Sequence, residues 1–410
     1  MKILYSHCLA TEQHPAVQMV AAIAHELRVL GHDVAVHRSA GPAPPATSLP
    51  VIVAEPSRRD GVHQRIKDRL WFAKAVARNR AMVQRDRIAV EQFQPDVVLA
   101  RQDAYCWSMP LVCRQCGIPL VTYADAPVAY ETRLFGQRQR WHPPGLVEAI
   151  ERRVLKSSRT IVTVSHPAAR RLERYGLDVP IHVIPNGVHP DWFPDLAPDQ
   201  RTAERAALGL SAPNVVGFQG TFRPFHGLDL LRRLMLRTAH RTDLQWLIIG
   251  DGPGRAALEE AVVGRVSAVF LGMQPAQRVG RYLRLTDVAV VPHVQLSGDF
   301  YFCPLKVLES AAAGCAVIAS NQGDIPWLLD DGRAGLLVSS PDLPDWEAAL
   351  DRLLEDRDYL ESLGRDARRH VLANFTWRHT AEKLQRVLRQ FRAEEGDALP
   401  GLRFGQAVQQ

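Results

Sequence analysis

A chain of 410 residues, 46% apolar and 23% charged, is long enough for two separate cores and has the balance of an ordinary globular protein. It contains no unbroken run of 18 apolar residues, which excludes a conventional membrane-spanning helix. A formal charge of +6 favours anionic partners, and six irregularly spaced cysteines suit a reducing compartment better than a disulfide framework.

Met1 to His7 enters a strand pattern directly, without an apolar leader, so a cytoplasmic protein is expected. Residues 2–7 read as a strand, Gln13 to Leu30 as an amphipathic helix, and Asp33 to His37 as the next strand. This βαβ opening announces an open parallel sheet, whose ligands bind beyond the carboxyl ends of the strands. His14 lies in the first such loop, as a candidate site residue or a plain polar loop residue. Ala40 to Leu49 reads as a loop. From Arg58 to Arg87, ten Lys/Arg stand against three Asp on a long helix. Such a face suits either solvent or the inner membrane surface, so peripheral membrane contact through residues 58–87 is one expectation. No nucleic-acid-binding signature accompanies it. Strands at 96–100 and 118–123 deliver Arg101 and Asp125 to one edge, as a cleft wall or as a structural ion pair. Cys113 and Cys116 form a lone C-x-x-C on a helix, a weak signal for metal or redox chemistry. Residues 145–157 read as a helix, with strands at 160–165 and 181–188. The Pro185-Asn186-Gly187 turn and the proline-rich loop to Pro198 mark the expected boundary between domains 1–190 and 200–375.

The second half alternates more cleanly, with strands at 214–220, 244–250, 268–272, 287–292, 315–320 and 335–338. Gly220 to Gly227 and Gly250-Asp251-Gly252 follow the first two strands as turns able to approach a phosphate, a weak signal alone. The richest stretch runs from Phe300 to Gly314. Pro304 suits the first turn of a helix whose unpaired amides and positive dipole end would seat a phosphate. Lys306 adds a cation there, and Glu309, one turn on, suits a ribose; a salt-bridged Lys306 and Glu309 in a buried helix is the plainer alternative. Helices at 344–357 and 358–373 precede Phe375-Thr376-Trp377, a last helix at 378–394, and a polar tail from 395 to 410.

In order and spacing, His182 to Val188, Leu247 to Pro253, Pro304 to Gly314, Asp324-Ile325-Pro326 and Gly332 to Val338 resemble the retaining glycosyltransferases of family 4, the group 1 type. The resemblance covers nearly the whole chain. It implies a GT-B α/β fold: two facing Rossmann-like domains, parallel sheets, an interdomain cleft, and a final helix crossing back to the first domain. It further implies a nucleotide diphosphate sugar, UDP- or GDP-type, as the donor substrate, with no cofactor and no dedicated metal. Carried over by position, the donor would meet Glu309, Gly220, Thr221, His226, Gly250, Gly252, Tyr301, Cys303, Pro304 and Leu305. Lys306, Arg223 and His14 would serve the chemical step, and Arg101, Asp125 and His14 the acceptor. That acceptor is a carbohydrate, a lipid-linked sugar or a small molecule.

The chain departs from the pattern in three places. Tyr301 stands where the family's first E-x7-E glutamate would touch the transferred sugar, and Glu309 is the remaining member. Thr221 and His226 occupy positions where many members carry Arg and Lys, so Arg223 and Lys306 are the expected substitutes. Leu9-Ala10-Thr11 replaces the paired glycines of the first loop. Asp356-Arg357-Asp358 is a weak candidate for a metal site. Two other readings stand beside the transferase: a GT-B sugar-nucleotide 2-epimerase, and a scaffold that binds nucleotide sugar with little activity. A dehydrogenase would need glycines in the first loop, and they are absent.

Overall fold

The structure, a computed structural model, describes residues 1–9, 15–40, 62–103, 105–135, 145–294 and 298–396. The expected loop from 41 to 49, His14, residues 58–61 and the tail from 397 lie outside them. The first sheet is built of β1 (Lys2–His7), β2 (Asp33–Arg38), β3 (Val97–Arg101), β4 (Leu120–Ala124), β5 (Thr160–Thr163) and β6 (Ile181–Val183). All pairs are parallel, in the order β2-β1-β3-β4-β5-β6. The crossovers carry α1 (Pro15–Val29), α2 (Val62–Phe93), α3 (Ser108–Cys116), α4 (Val128–Phe135), α5 (Leu146–Lys156) and α6 (His166–Glu173).

The connection contains α7 (Pro198–Ala207), so Pro198 opens a helix rather than prolonging the loop, as fits proline in a first turn. The second sheet follows: β7 (Asn214–Gln219), α8 (Leu228–Arg237), β8 (Leu244–Ile249), α9 (Arg255–Val262), β9 (Ala268–Gly272), α10 (Ala276–Leu283) and β10 (Val288–Val291). Then come α11 (Leu305–Ala312), β11 (Ala316–Ser320), α12 (Ile325–Leu328) and β12 (Leu336–Val338). Its order is β12-β11-β10-β7-β8-β9, again parallel. Strand β8 is buried at all six positions, as a parallel strand covered on both faces must be. Helices α13 (Leu343–Glu355), α14 (Arg357–Asn374) and α15 (Trp377–Gly396) complete the chain.

Helix α15 lies against α1. Arg378 approaches Glu26 at 3.8 Å, Gln385 Nε2 meets His32 Nε2 at 2.8 Å, and Thr380 donates to the Pro185 carbonyl at 3.0 Å. The Pro-Asn-Gly turn has a physical reason in this crossing. A Cβ on Gly187 would sit 2.3 Å from the Thr376 carbonyl carbon, so only glycine lets the two backbones touch. There Val188 N–H donates to Phe375 O, and Trp377 N–H to Val188 O. The expected strand from 181 to 188 stops at Val183, and its far end, Val188, pairs with the crossing segment instead.

Candidate active site

On the second domain, the site grows from the carboxyl ends of β7 and β10. Helix α11 begins at Leu305, with Pro304 in extended conformation just before it, one position earlier than the expected first turn. Its end is closed by Gly314 at φ +80°, whose N–H bonds the Ala311 carbonyl. Lys306, in the first turn, reaches back toward the loop after β7. A Cβ on Gly220 would lie 3.0 Å from Lys306 Nζ and 3.1 Å from His226 Nδ1, so glycine leaves room for both. The ammonium is buried and has no hydrogen-bond partner. Burial lowers its pKa to about 7, against the opposing pull of Glu309. No ion pair joins the two, so the plain salt-bridge reading does not describe them. Glu309 is instead held by Gln219, whose Nε2 donates to Oε2 at 3.0 Å; burial raises its pKa.

His226 is buried beside Lys306, and burial, reinforced by Lys306 and Arg223, lowers its pKa to about 3. At neutral pH it is therefore uncharged and does not replace a missing cation. Its Nδ1 accepts from the Arg223 backbone N–H at 3.4 Å. Arg223 and Thr221 are exposed on the same loop. Gly250 and Gly252 have a packing role: a Cβ on Gly250 would sit 2.0 Å from Gly220 O, and one on Gly252 1.9 Å from Thr221 O. They let the second loop press on the first and fix its path. Tyr301 and Cys303 are buried, with carbonyls bonded by Ser165 Oγ at 2.6 Å and Asn186 Nδ2 at 3.2 Å. Leu305 is half-buried.

On the first domain, Arg101 and Asp125 meet at the sheet edge. Arg101 Nε and Nη2 donate to Asp125 Oδ2 at 3.1 and 2.9 Å, and Nη1 donates to Asp103. Burial works against the guanidinium, but the two carboxylates hold its pKa above the usual value. Burial also raises Asp125, with Arg101 opposing. Of the two readings of this pair, the structure shows the ion pair. Among the sidelined motifs, Asp356 caps α14 by accepting from Tyr359 N–H at 2.9 Å. Cys113 and Cys116 are free thiols on α3. Among the described residues, no group of three or more His, Cys, Asp or Glu is placed to hold a metal ion, and no helix is long and apolar enough to cross a membrane.

Two groups carry no motif in the sequence. Glu131, on α4, has its pKa raised, by burial first and then by Asp125, with Arg101 and Arg223 opposing. Glu151, on α5, holds the start of α4. It accepts from Val128 N–H (2.8 Å), Ala129 N–H (2.9 Å), Gln102 Nε2 (2.8 Å) and Tyr175 OH (2.6 Å).

Two parallel-sheet domains with a cleft between them, and the C-terminal helix returned to the first, define the GT-B type of fold. Residues 16–192 match the family described as Glycosyltransferase Family 4, and residues 213–356 match Glycosyl transferases group 1. The chain belongs to this glycosyltransferase family. It is 31% identical over 282 residues to the D-inositol 3-phosphate glycosyltransferase of Nocardia farcinica, covering 65% of this chain and 60% of that one. Identity to the corresponding protein of Gordonia bronchialis is 28% over 303 residues, covering 69% and 64%. The matched region thus spans less than two thirds of these relatives. Among solved structures, sucrose-phosphate synthase from Thermosynechococcus elongatus aligns with TM-score 0.72 at 18% identity, over 96% of this chain and 100% of that one. Anabaena HepE in complex with UDP-glucose aligns with TM-score 0.68 at 14% identity, over 95% and 100%.

Proposed function

We propose that this protein transfers a glycosyl unit from a nucleotide diphosphate sugar to an acceptor hydroxyl, with retention at the anomeric carbon. The observation that carries the reading is the buried Lys306 ammonium at the start of α11, which faces the Gly220 loop and the Phe218 ring, 5.2 Å away, without a hydrogen-bond partner. A buried cation without a counter-charge is costly, and a diphosphate in that position would supply one. A diphosphate brings about two negative charges, whereas a helix end offers about half a positive one. Lys306, with Arg223 from the neighbouring loop, would meet the difference.

In the reaction, the acceptor oxygen bonds to the anomeric carbon as that carbon's bond to the diphosphate oxygen breaks. The electron pair goes to the leaving phosphate, which also takes the acceptor's proton on the same face of the sugar. Lys306 and the α11 amides stabilise the charge that develops there. Glu309, oriented by Gln219, would receive the ribose hydroxyls. The acceptor would sit against Arg101 and Asp125. A UDP-type donor is favoured, because structures of the similar Anabaena protein contain UDP and UDP-glucose.

Calorimetry with UDP and GDP tests the reading. The wild type should bind one of them, and Lys306→Met should weaken that diphosphate at least tenfold while affinity for the bare nucleoside stays level. Glu309→Ala should cost both ligands alike, by about 1.5–3 kcal/mol. A folded wild type that binds neither diphosphate at millimolar concentration would overturn the proposal.

A further inference from the structure

Tyr301 belongs by sequence to the second domain, yet its ring packs in a cluster with Tyr130 and Ala168 of the first. The Tyr130 and Tyr301 rings meet edge to face with centroids 5.7 Å apart. This seats the Tyr301 hydroxyl, itself buried, against the Glu131 carboxylate of α4. Glu131 forms no ion pair with any described residue. The nearby Arg101 is already committed to Asp125 and Asp103, and Arg223 stands exposed on the opposite loop. Burial, with Asp125 adding repulsion, pushes the Glu131 pKa upward. An unpaired carboxylate at a domain boundary is an expensive arrangement that a ligand would relieve.

Its neighbours locate that ligand. Glu131 feels Arg223 on the diphosphate side and Arg101 with Asp125 on the acceptor side. Whatever lies between a diphosphate and an acceptor is the group being transferred. A carboxylate accepts two hydrogen bonds from vicinal hydroxyls, and a neighbouring phenol both donates and accepts, so the pair suits a polyhydroxylated ring. We propose that Glu131 of the first domain binds the hydroxyls of the transferred sugar, with Tyr301 of the second domain as its hydrogen-bonding partner. This rests on the donor reading above and adds that the sugar is recognised by both domains together. The nucleotide half of the donor is then bound by one domain, and the sugar half only when the domains meet.

The test compares UDP with the UDP-sugar that the wild type turns over fastest, using wild type, Glu131→Gln and Tyr301→Phe. Glu131→Gln keeps the shape and removes one of the two acceptor oxygens. It should leave the UDP dissociation constant within twofold and reduce kcat/KM for the UDP-sugar tenfold or more. Tyr301→Phe should lower it in the same direction by a smaller factor. Unchanged kcat/KM in Glu131→Gln would overturn the proposal, as would an equal loss in UDP and UDP-sugar affinity. A wild type that binds no nucleoside diphosphate would remove the donor reading itself.

Discussion

Lys306 shows how one side chain couples protonation, folding and ligand. Burial lowers its pKa to about 7 in the ligand-free protein, against 10.5 for a free lysine. Between those values the unfolded chain holds more protons, so this residue's contribution makes the protein more stable as pH rises from 7 toward 10.5. Lys306→Met should therefore raise ligand-free stability at pH 7, by about 1–3 kcal/mol, the usual cost of an unsatisfied buried polar group. Chemical denaturation of the two proteins measures this, and a destabilised Met variant would contradict it. A diphosphate reverses the sign by raising the lysine's pKa. Binding should take up a proton above pH 7, and affinity should fall as pH rises from there toward the pKa of the complex. Calorimetry in buffers of different ionisation enthalpy reads that uptake directly. The importance of Lys306 was legible in the sequence because it sits in a recognisable helix start. The seat of Tyr301 was not, because its ring packs against Tyr130 of the first domain and so depends on how two domains meet.

At the scale of elements, the alternation of apolar runs with turn residues gave both parallel sheets and the motif-bearing helix, with boundaries off by a residue or two except at β6, which ends at Val183 rather than 188. Helices α4, α6 and α7 were not read in the sequence. Glycines were legible as special positions but not as to why. Gly250-Asp251-Gly252 reads as a phosphate loop, whereas the structure uses both glycines for backbone contact with the Gly220 loop. Gly252 also has φ +154°, so a side chain there meets strain as well as the Thr221 carbonyl at 1.9 Å. Gly252→Ala should destabilise the protein by about 1–3 kcal/mol, a typical overpacking cost. It should also weaken diphosphate binding through displacement of the Gly220 loop, although residue 252 need not touch the ligand. A variant of normal stability and affinity, by denaturant melt and calorimetry, would show that the two loops move independently.

For the whole molecule, the domains are joined along two separate bands. One is the crossing of residues 185–188 with 375–380, where backbone pairs with backbone and α15 docks on α1. The other gathers on the segment leading into α11. Ser165 bonds Tyr301 O, Asn186 bonds Cys303 O, and Arg174 approaches Asp299 at 3.4 Å. Asp324 at the start of α12 completes it, accepting from His166 N–H at 2.8 Å and lying 3.0 Å from His166 Nδ1. The first band lies along the covalent connections between the domains, whereas the second is made of side-chain bonds. Asp324→Ala removes two of those bonds and leaves a backbone N–H unpaired, at a cost of about 1–3 kcal/mol to the joined state alone. That corresponds to a roughly 5- to 150-fold shift toward separated domains. On the donor reading proposed above, turnover needs the joined state and falls as that state is depopulated, whereas UDP would meet the second domain alone. The expected result is therefore a fall of about tenfold in kcat/KM, with UDP affinity within twofold of wild type. Small-angle scattering should show a larger radius of gyration for the ligand-free variant. Unaltered turnover and scattering would mean that the crossing band alone holds the domains together.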